Sequence, residues 1–235
     1  MKIALIGYGK MGKAIEQVAL ARGHDICAKF ASGGIDELQL QQADIAIEFS
    51  RPEAAFGNLQ ICIKLGVPVV CGTTGWLEQY EDILKFCESS DGSFIYASNY
   101  SIGVNVFFAV NRYLAALMNT QTQYEVEVEE IHHTQKIDAP SGTAISIAND
   151  IISALSRKSS WVPGEATLDT EIPIFSIRKD PAPGTHLVSY KSEIDTIDIV
   201  HTAHSRTGFA TGAVIAAEWL KGKRGVFSMK DLLGF

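Results

Sequence analysis

Residues 2–12, KIALIGYGKMG, are the stretch from which the fold of this chain can be inferred. A short apolar run ends in the pattern G-x-G-x-x-G, formed by Gly7, Gly9 and Gly12, and apolar side chains then recur at helical spacing over residues 11–19. The glycines therefore lie between a predicted strand and a predicted helix. In that context the first glycine permits a tight turn, the second lets a pyrophosphate approach the backbone, and the third lets helix and strand pack closely. The stretch predicts a dinucleotide-binding βαβ unit, with a purely structural glycine turn as the alternative.

The residues that follow continue the same pattern. Further strand-like runs alternate with helical stretches and cover residues 25–30, 44–49, 67–71 and 94–97. Alternation of this kind indicates a parallel sheet with helices on both faces. We therefore predict an α/β chain with a Rossmann-type doubly wound parallel sheet. Only a short segment separates the second strand from Asp44, so we expect no helix there and a less enclosed adenosine end.

Ligands of such sheets bind at the carboxyl ends of the strands. The sequence places the glycine turn and two later loops at those ends. We predict that the cofactor is bound by Gly7, Tyr8, Gly9, Lys10, Met11, Gly12, Gly72, Thr73, Thr74, Ala97, Ser98, Asn99 and Tyr100. For the two later loops, ordinary loop glycines and polar caps are the alternative. Arg51 and Arg206 are further candidate neighbours of the cofactor and substrate sites.

The end of the second strand bears on the choice of nicotinamide cofactor. An acid is expected there for the adenosine ribose hydroxyls, but this chain has Lys29 and Ser32. A lysine and a serine suit a 2′-phosphate better than a free hydroxyl, so Lys29 is a further predicted cofactor residue and NADPH is favoured. NADH stays possible because Asp36 or Glu37 could turn towards the ribose, and Lys29 could be a solvated surface charge.

The pattern changes in the second half of the chain. One clear helix is accompanied by several strand-like runs, including residues 172–177, 186–190 and 195–201. These features predict a second α+β domain built on a mixed sheet, with antiparallel pairing and a helix on one face. We place the dinucleotide-binding domain at residues 1–101 plus 207–235 and the second domain at residues 102–206.

Residues 126–144, VEVEEIHHTQKIDAPSGTA, concentrate the reactive side chains of the second domain. Alternation before the histidines predicts a strand and helical spacing after Pro140 predicts a helix, so His132, His133 and Lys136 lie on the connection. A histidine of near-neutral pKa and a lysine are suitable proton donors. The lysine and the start of the helix can also hold carboxylates. As alternatives, His132 could be a satisfied strand-end histidine and Ser141 the N-cap of the helix.

The stretch from residue 129 to residue 144 resembles the signature of the dihydrodipicolinate reductase family. The glycine turn, the Gly72-Thr73-Thr74 loop, residues 97–101 and the Ser205-Arg206…Phe209-Ala210 stretch match that family in the same order, so the resemblance covers nearly the whole chain. It implies reduction of a cyclic imine dicarboxylate by NADPH or NADH in lysine and diaminopimelate biosynthesis.

The same resemblance implies roles for single residues and for the assembly. By it, His132 is the general acid/base and Lys136 a proton donor, and the substrate is held by His133, Ser141, Gly142 and Thr143. It also implies that residues 102–206 form a substrate-binding and oligomerisation domain, and that the protein is a homotetramer built through that domain's sheet. Asp138 is expected to brace the loop or to pair with Lys136.

Composition excludes several other classes. The formal net charge of −7 and the lack of a dense Lys/Arg cluster argue against a nucleic-acid partner. No run approaches the ~20 apolar residues that cross a bilayer. The short N-terminal apolar run is cut by the glycine turn, so we expect no signal peptide. The four cysteines, Cys27, Cys62, Cys71 and Cys87, show no C-x-x-C spacing, which favours reduced thiols and a cytoplasmic protein.

Three alternative functions stay open at this point. A metal-dependent lyase or hydrolase could use Glu130, His132, His133 and the pair His201 and His204, but H-x-x-H on a strand points its two rings to opposite faces. We therefore predict no metal site. A non-catalytic dinucleotide sensor would have no use for retained proton donors. A related Rossmann reductase acting on another imino or keto acid is the nearest alternative.

Overall fold

The computed structural model describes residues 1–205 and 207–235, and the chain divides into two compact units. One unit comprises Met1–Ile102 and Thr207–Phe235, and the other comprises Gly103–Arg206. Arg206, predicted to be near the substrate site, lies outside the described residues. Within the described part of the chain, no helix is long and apolar enough to cross a membrane. All four cysteines are free thiols.

The first unit is built on a six-stranded sheet in the order β11-β5-β4-β3-β1-β2, in which every pair is parallel. Its strands are β1 (Lys2–Ile6), β2 (Asp25–Phe30), β3 (Ile45–Glu48), β4 (Val69–Cys71), β5 (Ser93–Tyr96) and β11 (Gly225–Phe227). The helices are α1 (Lys10–Ala21), α2 (Glu37–Leu40), α3 (Pro52–Lys64), α4 (Tyr80–Ser89), α7 (Thr207–Leu220) and α8 (Met229–Leu233). The prediction of a doubly wound parallel sheet is confirmed.

Helices cover both faces of this sheet because its central strand is apolar on both sides. Ile3 and Leu5 belong to a core cluster with Ile15 of α1, whereas Ala4 and Ile6 belong to a second cluster with Leu59 of α3. A strand points alternate side chains to opposite faces, so a continuous apolar run fills two cores. This is the arrangement that a parallel sheet requires.

The prediction that no helix follows β2 is wrong. The short helix α2 forms there because Asp36 caps it: Oδ1 accepts hydrogen bonds from the backbone N–H groups of Leu38 at 2.9 Å and Gln39 at 3.2 Å. Leu40 anchors the helix in the core, where it is fully buried. Four residues are too few to show helical periodicity, so only the cap could have revealed it.

The second unit contains a five-stranded mixed sheet in the order β10-β9-β6-β8-β7, as predicted. The strands are β6 (Glu125–His132), β7 (Ser160–Pro163), β8 (Glu171–Arg178), β9 (Gly184–Lys191) and β10 (Thr196–Ala203), and the helices are α5 (Ile102–Met118) and α6 (Gly142–Ala154). Strand β6 runs parallel to β8 and antiparallel to β9. Strand β7, which pairs with β8, lies inside a segment where the sequence pattern showed no strand.

Alternation along β6 decides what the inner face of this sheet carries. Val126 and Val128 pack into the core with side chains of α6. Glu130 and His132 follow at the same spacing and are buried as well, with 0% and 8% exposure. The strand thus continues its apolar face into two ionisable groups, which is the feature that positions the site.

Candidate active site

In the first unit, the three glycines of the turn between β1 and α1 have two different roles. A Cβ on Gly7, which has φ +90°, would lie 2.0 Å from the carbonyl oxygen of Phe49, and a Cβ on Gly12 would lie 2.2 Å from that of Gly7. A Cβ on Gly9 would meet nothing within 4 Å. The chain's own packing therefore requires glycine at the first and third positions. At Gly9 the exposed backbone beside the start of α1 fits the close approach of a pyrophosphate.

A cavity of about 400 Å³ opens at the carboxyl ends of β1, β2 and β3. It is lined by Ile6, Gly7, Tyr8, Gly9, Phe30, Ala31, Ser32, Gly34, Ile35, Phe49, Ser50, Arg51, Ala54 and Asn58. Three predicted cofactor residues are among them, and Arg51 and Ser32 add polar groups. None of these lining residues is an acid, so the cavity wall lacks the carboxylate that commonly binds adenosine ribose hydroxyls. The remaining turn residues Lys10, Met11 and Gly12 form the first turn of α1.

Lys29 does not line this cavity, although the sequence favoured it as a phosphate contact. Its Nζ lies 2.5 Å from Oε1 of Glu16 and 3.4 Å from the hydroxyl of Tyr8, and it sits 5.0 Å from the centre of the Tyr8 ring. The hydrogen bond to Glu16 raises the pKa of Lys29. The lysine charge is therefore already paired, which leaves Arg51 as the cation that faces the cavity.

The loops after β4 and β5 lie beside each other, joined by a hydrogen bond from the Ala97 N–H to the Cys71 carbonyl at 3.2 Å. Gly72 packs so closely on the ring of Phe49 that a Cβ would lie 2.1 Å from it. The Thr73 hydroxyl accepts from the Ser50 N–H at 2.8 Å, which ties this loop to the end of β3. Gly72 and Thr73 thus have packing roles, whereas Thr74 and Ser98 are exposed.

Tyr100 is a member of the core. Its side chain is 1% exposed, and its hydroxyl donates to the carbonyls of Cys71 at 2.8 Å and Ile95 at 3.1 Å. Burial raises the pKa of this phenol well above its ordinary value. The side chain braces the ends of β4 and β5, so contact with a cofactor is left to backbone atoms. Asn99 Oδ1 accepts from the Ser101 N–H at 2.9 Å and shapes the same loop.

In the second unit, a buried carboxylate lies at the centre of the polar cluster. Oε1 of Glu130 accepts hydrogen bonds from the Ser141 N–H at 3.1 Å and the Ser176 hydroxyl at 2.8 Å, and the Arg178 guanidinium lies 3.3 Å away. Its other oxygen, Oε2, lies 3.2 Å from Nδ1 of His132. Burial alone would raise the pKa of Glu130, but these hydrogen bonds and the nearby imidazole bring it below its ordinary value.

Sheet register explains why these groups meet. Glu130 pairs with Ser176 of β8 on one side and with His186 of β9 on the other, and His132 pairs with Arg178. The imidazole rings of His132 and His186 are perpendicular neighbours, with centroids 5.2 Å apart. Burial, aided by the neighbouring His132, lowers the pKa of His186 to about 4, so this second ring is neutral at physiological pH.

Burial also lowers the pKa of His132. Lys136, Arg178 and His133 lower it further, and the negative charge of Glu130 opposes them. Burial and the nearby cations outweigh the charge of Glu130, so the imidazole favours its neutral form. An imidazole can give or take a proton, and His132 is therefore the candidate general acid/base of this cluster.

The loop after β6 carries Lys136 close to this cluster. Its Nζ lies 2.7 Å from both carboxylate oxygens of Asp138, which lowers the pKa of that acid. Arg178 holds the loop in place by donating to the carbonyl of Asp138 at 2.8 Å and to that of Lys136 at 3.3 Å. Lys136 keeps partial exposure, with 21% of its side chain accessible, so it can still meet a ligand.

His133 follows His132 at the start of the same loop. It is half-buried and lines a cavity of about 360 Å³ with Gln135 and residues 180–183. One wall of that cavity is fixed by Asp180, which accepts from the N–H of Thr134 at 3.1 Å and its hydroxyl at 2.6 Å.

The Ser141-Gly142-Thr143 turn opens α6, as the sequence predicts. Ser141 is 3% exposed, and its hydroxyl accepts from the Ala144 N–H at 3.2 Å, so it is the N-cap of the helix. The same hydroxyl lies 3.4 Å from Nε2 of His186. Gly142 is exposed and Thr143 is half-buried, and their N–H groups belong to the first helical turn, where backbone donors lack intrahelical partners. This helix start can receive an anion.

A metal ion is the other species that such a cluster could hold. Ligand atoms of Glu130, His132 and His186 lie within 4.8 Å of one another. The guanidinium of Arg178 already contacts the same carboxylate, and a second cation there would be repelled. His201 and His204 belong to no such cluster among the residues that the structure describes. The prediction of no metal site is therefore kept.

The sequence did not reveal Arg178 or His186 as site residues. It indicated Glu130 only as a possible metal ligand. The burial of Glu130 could have been predicted from the sequence. It follows Val126 and Val128 at a spacing of two residues and therefore lies on the same, inward face of β6. A carboxylate on the apolar face of a strand needs buried partners. Those partners come from β8 and β9, which the sequence of β6 does not identify.

Comparisons with known proteins agree over the whole chain. A family model described as "Dihydrodipicolinate reductase, N-terminus" matches residues 1–100, and one described as "Dihydrodipicolinate reductase, C-terminus" matches residues 103–233. The 4-hydroxy-tetrahydrodipicolinate reductase of Christiangramia forsetii is 51% identical over 235 residues, which cover 99% of this chain and 98% of that protein. That of Methanosarcina barkeri is 40% identical over 202 residues, or 84% and 75% of the two chains.

A solved structure supports the fold. The dipicolinate-bound dihydrodipicolinate reductase from Paenisporosarcina sp. TG-14 superposes with a TM-score of 0.81 at 21% identity, covering 97% of each chain. The resemblance seen in the sequence is thereby confirmed by the family models and relatives. The chain belongs to the dihydrodipicolinate reductase family, a family of NAD(P)H-dependent oxidoreductases.

Proposed function

We propose that this protein reduces 4-hydroxy-tetrahydrodipicolinate to tetrahydrodipicolinate with NAD(P)H and a proton, while the 4-hydroxyl group leaves as water, a step of lysine and diaminopimelate biosynthesis. The observation that carries the proposal is the buried His132 beside Lys136 and an anion-receptive helix start, in a chain that also has a dinucleotide-binding glycine turn. Relatives that match almost the whole chain have the name of this activity. A family neighbour is described as bound to dipicolinate, a ring with two carboxylates.

Each unit has its own part in the proposal. Residues 1–101 plus 207–235 bind the dinucleotide, through the glycine turn, the cavity at the ends of β1 to β3, and the loops after β4 and β5. Residues 102–206 bind the substrate, with Arg206 outside the described residues. When bound, NAD(P)H supplies the hydride.

The second unit supplies protons and positive partners. His132 donates the proton that balances the electron density arriving at the substrate ring, and Lys136 assists as a second donor. The ammonium of Lys136, His133 and the N–H groups of Gly142 and Thr143 receive the two carboxylates. Ser141 acts by holding the turn, because its hydroxyl caps α6.

We favour NADPH over NADH. Arg51 and Ser32 line the cavity, and the lining residues include no acid that would repel a 2′-phosphate. Asp36, which the sequence offered as an alternative partner for the ribose, caps α2 instead. These features suit a cofactor with an additional phosphate.

We also propose that the protein is a cytoplasmic homotetramer assembled through the sheet of the second unit. Strand β10 lies at an edge of that sheet and exposes apolar side chains, including 37% of Ile197 and 58% of Val200. Exposed apolar edge strands are typical of interaction surfaces. Light scattering should give the mass of four chains, and Val200→Lys should lower it. A monomeric wild-type protein would exclude this assembly.

The activity is tested by mixing the protein with NADPH, or with NADH, and the condensation product of aspartate semialdehyde and pyruvate. We expect loss of the nicotinamide absorbance, faster with NADPH. Oxidation with neither cofactor would refute the proposal and would favour either a different imino or keto acid or a non-catalytic sensor. Activity lost to a chelator would revive the metal-dependent alternative.

A further inference from the structure

We propose that Glu130 is the positioning residue of this site: its buried carboxylate orients His132 and holds the Lys136 loop and the Ser141 turn around it. The inference rests on the proposed function, in which His132 donates a proton. Glu130 itself reaches no surface, since it is 0% exposed. It therefore acts through its neighbours.

The two carboxylate oxygens of Glu130 have different partners. Oε1 receives the Ser141 N–H, the Ser176 hydroxyl and the Arg178 guanidinium, at 3.1, 2.8 and 3.3 Å. Oε2 has no hydrogen bond within the part of the chain that the structure describes, and neither has Nδ1 of His132, which lies 3.2 Å from it. Buried polar atoms seek partners. The two atoms are therefore each other's partner, brought into alignment by a small rotation of the ring.

This pairing fixes the tautomer of His132. A carboxylate accepts hydrogen bonds and does not donate, so Nδ1 must carry the hydrogen. Nε2 is then the atom that gains and loses the catalytic proton. Nε2 packs against Gly184 of β9: a Cβ on that glycine would lie 3.0 Å from it, so only a residue without a side chain leaves room for the ring.

Through Arg178, the same carboxylate controls the Lys136 loop. The guanidinium that contacts Glu130 also donates to the carbonyls of Lys136 and Asp138, at 3.3 and 2.8 Å. Asp138 in turn holds the Lys136 ammonium at 2.7 Å. A single negative charge therefore anchors both proposed proton donors, whose strand and loop would otherwise be free to shift relative to each other.

The charge of Glu130 also sets how readily His132 is protonated. The ionisable groups that face the ring are Glu130 of β6, His133 and Lys136 of the following loop, Arg178 of β8 and His186 of β9. His133, Lys136 and Arg178 disfavour the imidazolium, and Glu130 favours it. Removal of this charge should lower the pKa of His132, which burial already lowers. Less of the acid form would then exist at neutral pH.

The test compares Glu130→Gln with Glu129→Gln. Both remove one carboxylate from β6, but Glu129 lies on the opposite face of the sheet. For Glu130→Gln we expect kcat at neutral pH to fall about tenfold or more. The decline of kcat/KM with rising pH should begin at lower pH, because His132 loses its proton earlier. The KM for NADPH should stay unchanged. Glu129→Gln should leave the pH profile in place, and Glu130→Asp should restore it in part.

A second measurement keeps the proposal testable if Glu130→Gln does not fold. In isotope-labelled wild-type protein, the nitrogen chemical shifts of neutral His132 should show hydrogen on Nδ1 and none on Nε2. The opposite tautomer would overturn the proposal. So would a folded Glu130→Gln variant with unchanged kcat and pH profile, or an equal effect from Glu129→Gln. If the wild type reduces no substrate, the proposed function fails, while the tautomer still decides the role of Glu130.

Discussion

The glycine turn of the first unit and the histidine cluster of the second owe their predicted functions to opposite features of structure. The turn works by the absence of side chains: at Gly7 and Gly12 an added Cβ would lie about 2 Å from a carbonyl oxygen, and Gly9 leaves the backbone open. The cluster works by side chains that are buried and bonded to one another around Glu130. The comparison teaches that binding of phosphate can be built from local backbone geometry. Control of a proton needs ionisable side chains brought together from three strands.

The largest expected effect comes from removing the proposed proton donor. His132→Ala should lower kcat by about 10²-fold or more, while the protein stays folded and binds NADPH as before. The matched control is His204→Ala, an exposed histidine that should leave kcat unchanged. Steady-state kinetics measure both. Full activity in the His132 variant would end its role, and equal losses in both variants would point to a common role for the two histidines.

Removing Lys136 should lower kcat less than removing His132 does. Lys136 is only the second proton donor, and its ammonium also binds a substrate carboxylate. Lys136→Ala should reduce kcat and substrate affinity by roughly tenfold each. Lys179→Ala removes the same charge from a nearby exposed segment and serves as the control. A loss confined to KM would restrict Lys136 to substrate binding and remove its part in proton transfer.

The glycine turn can be tested by one substitution at two positions. Gly12→Ala places a methyl group 2.2 Å from a carbonyl oxygen, so the free energy of unfolding should fall by about 1–3 kcal/mol. Gly9→Ala meets no protein atom and should keep the free energy of unfolding within about 1 kcal/mol. It should instead weaken NADPH binding by about tenfold. Denaturant unfolding and cofactor titration separate the two, and unchanged NADPH affinity in Gly9→Ala would support a purely structural turn.

The smallest effect concerns the adenosine end of the cofactor site. Because Lys29 is paired with Glu16 and does not line the cavity, Lys29→Ala should raise the KM for NADPH by only about twofold. Arg51→Ala should raise it by about tenfold and leave the KM for NADH nearly constant. Lys13→Ala, on an exposed face of α1, is the control for lost positive charge. A larger effect at Lys29 than at Arg51 would show that the ion pair opens when the cofactor binds.

The spacing of apolar residues predicted most of the helices and strands. It failed where an element was short or where its contacts are made with residues far away in the chain. The alternating strands and helices of the first unit follow from apolar runs, and the mixed sheet of the second follows from its strand-like segments. Helix α2 was missed because four residues show no helical period. Strand β7 was missed because it is equally short and contains Pro163, a residue that argues against a strand. At the site, His132, His133 and Lys136 could be predicted because they lie in one continuous motif.

The spacing of neighbouring residues was enough to predict the class of the fold, the place of the glycine turn and the strand end and loop that carry His132 and Lys136. Each of these depends on residues adjacent in the chain, whose spacing reports the local backbone. Three contacts became visible only in the folded chain: Glu130 faces His132, Arg178 binds both Glu130 and the loop, and Glu16 pairs with Lys29. Those contacts depend on the register of β6 against β8 and β9 and on the packing of α1 beside β2. A shift of one residue along a strand would turn Glu130 to the other face of the sheet.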